Sequence, residues 1–186
     1  CAHRLVRWFD AEAALRLRGR SRCLRVPQVR SRFSQPTIPT MLNDSGFLCL
    51  GTPSMGATSA TPGTGAWSAD AWRALVQRDG IQRAAASLSG GFAIGLGELD
   101  GSATLAVDRF AVQTLCYRVE NGRLRFAARA DALADAGTEI DPQAIFDYLY
   151  FHAIPSPRTI FRGVFRLPPG HYAWFEGGQL TVAPYW

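Results

Sequence analysis

Few residues in this chain of 186 are of types that do covalent or acid/base chemistry, and their spacing limits what they can do. The four cysteines are Cys1, Cys23, Cys49 and Cys116, and the three histidines are His3, His152 and His171. No Cys-x-x-Cys pair occurs and no histidine stands at ligand spacing from a cysteine, so no metal site is expected. In a chain of this size the scattered cysteines do not read as a disulfide framework either, and reduced thiols are the expectation. The histidines form no acid/base constellation and read as structural. Cys116 falls in a strand pattern and is expected in the core.

The net charge of +5 invites a nucleic-acid reading, but its distribution argues against one. Residues 1–40 hold nine arginines against Asp10 and Glu12, a balance of +7, while residues 41–186 hold eleven arginines against thirteen acids, a balance of −2. All twenty basic residues are arginine, and no aromatic interleaving or nucleic-acid motif accompanies them. An arginine-rich nucleic-acid arm on an inert domain is therefore the last of the functional readings weighed. No apolar run approaches the roughly 20 residues of a membrane helix, and the arginine-studded N-terminal stretch lacks the apolar centre of a secretory signal. A cytoplasmic protein without a membrane partner is expected.

The elements that must carry any site are legible from period and turn chemistry. Residues 1–40 allow a short helix over residues 10–17, but Pro27, Pro36 and Pro39 prevent continuation. This segment reads as a disordered arm or, in the reading preferred, as non-native sequence ahead of a natural start at Met41. The run Gly46-Phe47-Leu48-Cys49-Leu50-Gly51 predicts a buried strand, and residues 52–65 a flexible Gly/Ser/Thr/Pro loop. Ser68 caps a predicted helix carrying Trp72, Leu75, Val76, Ala84 and Leu88, with Gly80 either interrupting it or dividing it into two. Next, Phe92, Ile94 and Leu96 alternate with small residues, Asp100-Gly101 marks a hairpin, and Leu105 and Val107 resume the period of two. One face of that pair must be buried. A second turn at Asn121-Gly122 predicts that residues 115–119 and 125–128 extend the same sheet as an antiparallel meander. Asp141-Pro142 starts a helix whose apolar face would be Ile145, Tyr148, Leu149 and His152, and a last hairpin pairs residues 171–175 with 179–182. Helices combined with meandering strands amount to an α+β class.

The ordered words Leu88-Ser89-Gly90-Gly91-Phe92-Ala93, the hairpin, Asp108-Arg109-Phe110 and Leu115-Cys116-Tyr117 resemble the glutaminase domain of the asparagine synthetase family, a class II glutamine amidotransferase. The resemblance continues through Leu124-Arg125-Phe126-Ala127, Ala132-Leu133, Asp141-Pro142, Ile154-Pro155, Thr159-Ile160-Phe161, Gly163-Val164, Leu167-Pro168-Pro169-Gly170-His171 and Tyr185-Trp186. It covers residues 74–186 and places a glutaminase-like domain at 41–186. It implies the N-terminal-nucleophile hydrolase fold, an αββα sandwich of two antiparallel sheets, incomplete here at its N-terminal end.

The resemblance also implies a site. The family's nucleophile is a cysteine at the mature N-terminus, whose own α-amine, with a pKa of about 8, can accept the thiol proton. Cys1 is the candidate by number, though Ala2-His3-Arg4 follow it where the family has Gly-Ile and an apolar strand. Asp70 is the candidate for the substrate-binding aspartate ahead of the helix. The family's Arg-Gly-Pro-Asp-like and Asn-Gly-Glu segments, the latter the source of oxyanion donors, do not occur. In the Asp108-Arg109 loop, Val107 stands for an arginine and Ala111 for a glycine, and Ala128-Arg129 replaces Ser-Glu. Framework words without pocket words point to a scaffold that lacks its own glutaminase activity. An active glutaminase using Cys1 to supply ammonia for asparagine synthesis is the alternative, with glutamine a ligand only in that case. ATP and magnesium are expected only in the adenylating synthetase domain that the family carries beyond the position of Trp186, and that domain is the expected partner. Ser89-Gly90-Gly91 resembles that domain's pyrophosphate loop, but Phe92 and Ala93 follow it, so it reads as a glycine turn before a strand.

Overall fold

The computed structural model describes residues 46–55 and 67–186. The arginine-rich segment, Cys1 and most of the expected loop at 52–65 lie outside the described residues. In chain order the elements are β1 (Gly46–Gly51), β2 (Ser54–Met55), α1 (Ala69–Asp79), α2 (Ile81–Ser87), β3 (Leu88–Ser89), β4 (Phe92–Gly97) and β5 (Ala103–Val107). They continue with β6 (Cys116–Glu120), β7 (Arg123–Ala127), a 3-10 turn (Ala130–Leu133), α3 (Pro142–Phe151), β8 (Phe165–Arg166), β9 (His171–Glu176) and β10 (Gln179–Pro184). A five-stranded antiparallel sheet has the order β1-β4-β5-β9-β10, and a three-stranded one the order β7-β6-β8. β2 and β3 form a two-residue ladder.

Strand β4 is buried at all six positions. Alternation led us to expect one covered face; the pair has two, because it lies in the middle of a sandwich. Phe92, Ile94 and Leu96 point to the helices, where they meet Trp72, Leu75, Ile81 and Leu88. Ala93 lies on the other side with Leu48, Leu105, Val107, Tyr117, Phe126 and Leu167, which is the space between the two sheets. Beyond the small sheet, Cys116 and Ala127 pack with Leu133 and Val164. The layers are thus helices, large sheet, small sheet and a thin outer layer. This is the expected α+β class, with two antiparallel sheets face to face.

Local chemistry sets the helices on the large sheet. The Ser68 hydroxyl accepts the Ala71 N–H at 3.2 Å as the N-cap of α1. Gly80, at φ +76°, turns the chain between α1 and α2, so the two-helix alternative is the one adopted. Trp72 is fully buried, and its indole N–H donates to Thr104 Oγ1 at 2.9 Å, tying α1 to β5.

Two expectations need correction. The second hairpin, β6 and β7, does not extend the first sheet as a meander: β9 occupies the free edge of β5, and β6 turns away into the small sheet. The cause is the Asp108 turn described below. Helix α3 does begin as expected, with Asp141 accepting the Gln143 N–H and Pro142 in its first turn. Its orientation, however, is reversed. Ile145, Tyr148, Leu149 and His152 are exposed, and the buried residues are Ala144 and Asp147. Asp147 takes hydrogen bonds from Gln143 Nε2 at 2.8 Å and Arg158 Nη1 at 2.6 Å, which hold its carboxyl below the usual range. The inward face therefore carries an ion pair to Arg158 rather than the apolar stripe. Among the described residues no helix is long and apolar enough to cross a membrane.

Two substitutions test the sandwich. Phe92, 1% exposed, anchors the helix side of β4, and Phe92→Ala should cost about 3–5 kcal/mol in urea unfolding. On the opposite face a Cβ at Gly95 would come within 2.6 Å of the Phe126 ring, so Gly95→Ala should cost about 1–3 kcal/mol although it adds one methyl group. A neutral Gly95→Ala would show that the sheets do not approach so closely in solution.

Candidate functional site

At one end of the sandwich lies the turn after β5. Asp108 is 3% exposed, and its carboxylate accepts four backbone N–H groups. Oδ1 takes those of Phe110 at 2.9 Å and Val112 at 3.1 Å; Oδ2 takes those of Phe92 and Gln113, both at 3.1 Å. The Asp108 backbone adds to this, since its N–H donates to Phe92 O and its carbonyl accepts the Gly170 N–H, each at 2.9 Å. Ala111 sits at φ +49°, in the left-handed region, where the resemblance has glycine. Tyr185 donates its hydroxyl proton to Val107 O at 2.6 Å, Trp186 meets Phe110 edge to face, and Arg109 lies over the Trp186 ring. Ser89, Gly90 and Gly91 line a groove of about 320 Å³ beside this turn. The Phe92 N–H that a phosphate would need there is committed to Asp108, so the glycine turn does not fit a pyrophosphate.

The opposite end is formed by hairpin turns. β1 starts at Gly46 opposite Gly97, where β4 finishes, and the turns at Gly101, Gly122 and Gly177 surround a cavity of about 360 Å³. Its polar side chains are Asp100, Ser102 and Arg123, and Asp100 already accepts both the N–H and the hydroxyl of Ser102. Glu98 follows Gly97 and holds Arg73 through two hydrogen bonds, of 2.6 and 3.0 Å. Arg73 in turn pairs with Asp70, whose side chain is 90% exposed. Asp70 therefore stands at this end, next to the start of α1, and roughly 20 Å along β4 from the glycine turn at Gly91.

Neither described cysteine is placed to attack. Cys49 lies mid-strand opposite Ile94, and Cys116 is 3% exposed; burial raises both thiol pKa values, which lowers the thiolate fraction. His171 shares its Nδ1 with Pro169 O, and His152 closes α3 in a left-handed conformation at φ +56°. Among the described residues no group of His, Cys, Asp and Glu could hold a metal ion. Cys1, the other site residue expected from sequence, lies outside the described residues.

Residues 72–186 match the family described as the glutamine amidotransferase domain. The chain belongs to that family. Among solved structures, one described as the allosteric regulatory enzyme of purine biosynthesis is similar at 12% identity and a TM-score of 0.42, over 82% of this chain and 31% of that one. The present chain thus spans about a third of that protein's length. No curated protein matches it. Sequence reasoning quoted Gly46-Phe47-Leu48 only as a strand and missed Arg73 and Glu98. The glycine before the apolar run was the usable signal for the first; nothing local in the sequence joins Arg73 to Glu98.

Two predictions concern the Asp108 turn. Asp108→Asn leaves one carbonyl oxygen where two carboxylate oxygens accepted, and should cost about 2–5 kcal/mol in denaturant unfolding. Tyr185, half-buried near Asp108, has its pKa raised from 10.0 to about 12 by burial and by that carboxylate, with Arg109 opposing. A raised acid pKa stabilises the fold fully below the unfolded value and loses that stabilisation as pH climbs, so stability should fall between pH 10 and 12. Tyr185→Phe should remove that component, as melting curves across the range would register.

Proposed function

We propose that this amidotransferase domain is of the asparagine-synthase type, lacks glutaminase activity of its own and serves as the scaffold for an ATP-dependent amide-forming domain. What precedes β1 carries the reading. The resemblance puts a nucleophilic cysteine directly before a glycine and an apolar strand. Here the glycine-led apolar strand is Gly46–Gly51, paired with β4 along its full length, and the residue before it is Ser45. Because residues 1–44 precede it, the Ser45 nitrogen belongs to a peptide bond and offers no α-amine as base.

The surroundings support the same reading. The cavity at the start of β1 is lined by no cysteine or histidine of the described residues, and its Asp100 and Ser102 are engaged with each other. Asp70 is engaged with Arg73 rather than directed at a ligand. Losing even one oxyanion donor costs such chemistry about 100-fold or more, and the segment that supplies those donors in the family has no counterpart string here. The parts retained are those of the framework, namely the sheets, the Asp108 turn and the bond from Tyr185 to Val107. ATP and magnesium belong in this reading to the partner, whose adenylating chemistry the present residues do not provide.

Incubation of the 186-residue chain with amide-labelled glutamine should release ammonia no faster than its Cys1→Ala variant. Release well above that control would establish the opposite reading, an active glutaminase built on Cys1.

A further inference from the structure

Of the fifteen large hydrophobic residues exposed among the described residues, six lie within the ten residues of α3. They are Ile145, Phe146, Tyr148, Leu149, Tyr150 and Phe151, at 45–71% exposure, and they form a patch rather than a scatter of single side chains. The helix is held in the rotation that turns them outward. Asp147 accepts hydrogen bonds from Gln143 and Arg158, and Arg158 also pairs with Asp141 at 3.3 Å. The patch has relief as well: Ile145 and Leu149 make one i, i+4 row and Phe146 and Tyr150 the next. The Phe146 and Tyr150 rings stack at 6.2 Å, and Phe151 meets Tyr150 edge to face at 4.7 Å. Neighbouring rows with a groove between them are the surface by which helices pack on one another.

Charge and area narrow the occupant to one. Asp147 is the single charged residue of α3 and it is turned inward, so the helix offers no cation to a nucleic-acid phosphate or an anionic lipid surface. It equally lacks the exposed charges by which unlike partners select each other. Neither cavity described above is lined by a residue of α3, and a small molecule finds no hollow there. A two-fold axis, by contrast, sets a patch against its own image, where exposed charge of one sign would repel and an uncharged face does not. The area is that of a dimer. With about 150–250 Å² for each aromatic side chain, the six residues offer on the order of 700 Å², close to the roughly 800 Å² that each partner gives to a standard interface.

We propose that α3 is the contact surface of a two-fold homodimer, the α3 of one copy packed on the α3 of a second with Leu149 near the axis. Leu149 is the most exposed of the six, at 71%, and lies one turn from both Ile145 and Phe146, on the side of the helix away from the buried Ala144 and Asp147. In this arrangement the aliphatic row of each copy enters the groove beside the aromatic row of the other. The dimer does not depend on whether the domain hydrolyses glutamine.

Sedimentation equilibrium of the 186-residue chain, of 20.3 kDa, should return twice that mass. Leu149→Asp sets a carboxylate against its own image at the axis, and should weaken association about 100-fold or more while the near-ultraviolet circular dichroism of the separated chains stays native. A second measurement keeps the test decisive should that variant fail to fold. With the photo-crosslinking residue p-benzoylphenylalanine in place of Tyr150, crosslinks should join residues 142–152 of two copies. A parent chain that sediments as a monomer, a dimer that Leu149→Asp leaves intact, or the absence of crosslinks between copies would each overturn the proposal. Crosslinks that run instead to another face of a second copy, or to residues 1–45, would overturn it as well.

Discussion

The Asp108 carboxylate gathers the N–H groups of Phe92, Phe110, Val112 and Gln113 within hydrogen-bonding distance of two oxygens, and much of the molecule depends on that gathering. It joins the start of β4 to the end of β5 and folds the following five residues into a tight turn. The chain therefore enters the second sheet instead of continuing the first. Left without the carboxylate, the buried Phe92 N–H would lose its partner at a cost of about 1–3 kcal/mol, and the three part-buried donors of the turn would have to find water instead. The same residue's carbonyl binds Gly170, and through it Tyr185, so the exit of the chain is set by the same turn.

Between the sheets, fit is governed by what is missing as much as by what is present. Gly95 sits opposite Phe126 because no Cβ can be accommodated there, and Ala93 and Ala173 keep neighbouring positions small. The larger side chains are divided between the two cores, Phe92, Ile94 and Leu96 toward the helices and Leu105 and Val107 toward the small sheet. A sandwich of this kind tolerates loss of polar groups at its rim much more readily than a change of volume at its centre.

Much of this was legible in the residues. Glycine-bounded Gly46–Gly51, the Ser68 cap, the break at Gly80, the three hairpin turns and the Asp141-Pro142 helix start all follow from local backbone chemistry, and the structure places them as expected, except that Gly46–Gly51 is an edge strand with only Leu48 buried rather than a buried strand. The ordered words that resemble a glutaminase domain lead to the family matched over residues 72–186. Site chemistry was less legible: Asp70 was chosen for its place before a helix, and the structure pairs it with Arg73 at the surface, while Asp108 was read only as part of a motif.

By itself the sequence determined where the elements begin and stop, because caps, glycine turns and a period of two act over a few neighbouring residues. It also determined, through the order of those elements, the α+β class, and through the ordered words that resemble a glutaminase domain, the family. Only the tertiary structure decided that β4 has two covered faces, that β6 leaves the first sheet, and that α3 turns its aromatic side outward. Each of these depends on partners far apart in the chain: Phe126 against Gly95, Asp108 with Phe92, and Arg158 with Asp147. In α3 the structure turns the aromatic side chains outward and Asp147 inward, where it meets Arg158 from eleven residues further along the chain.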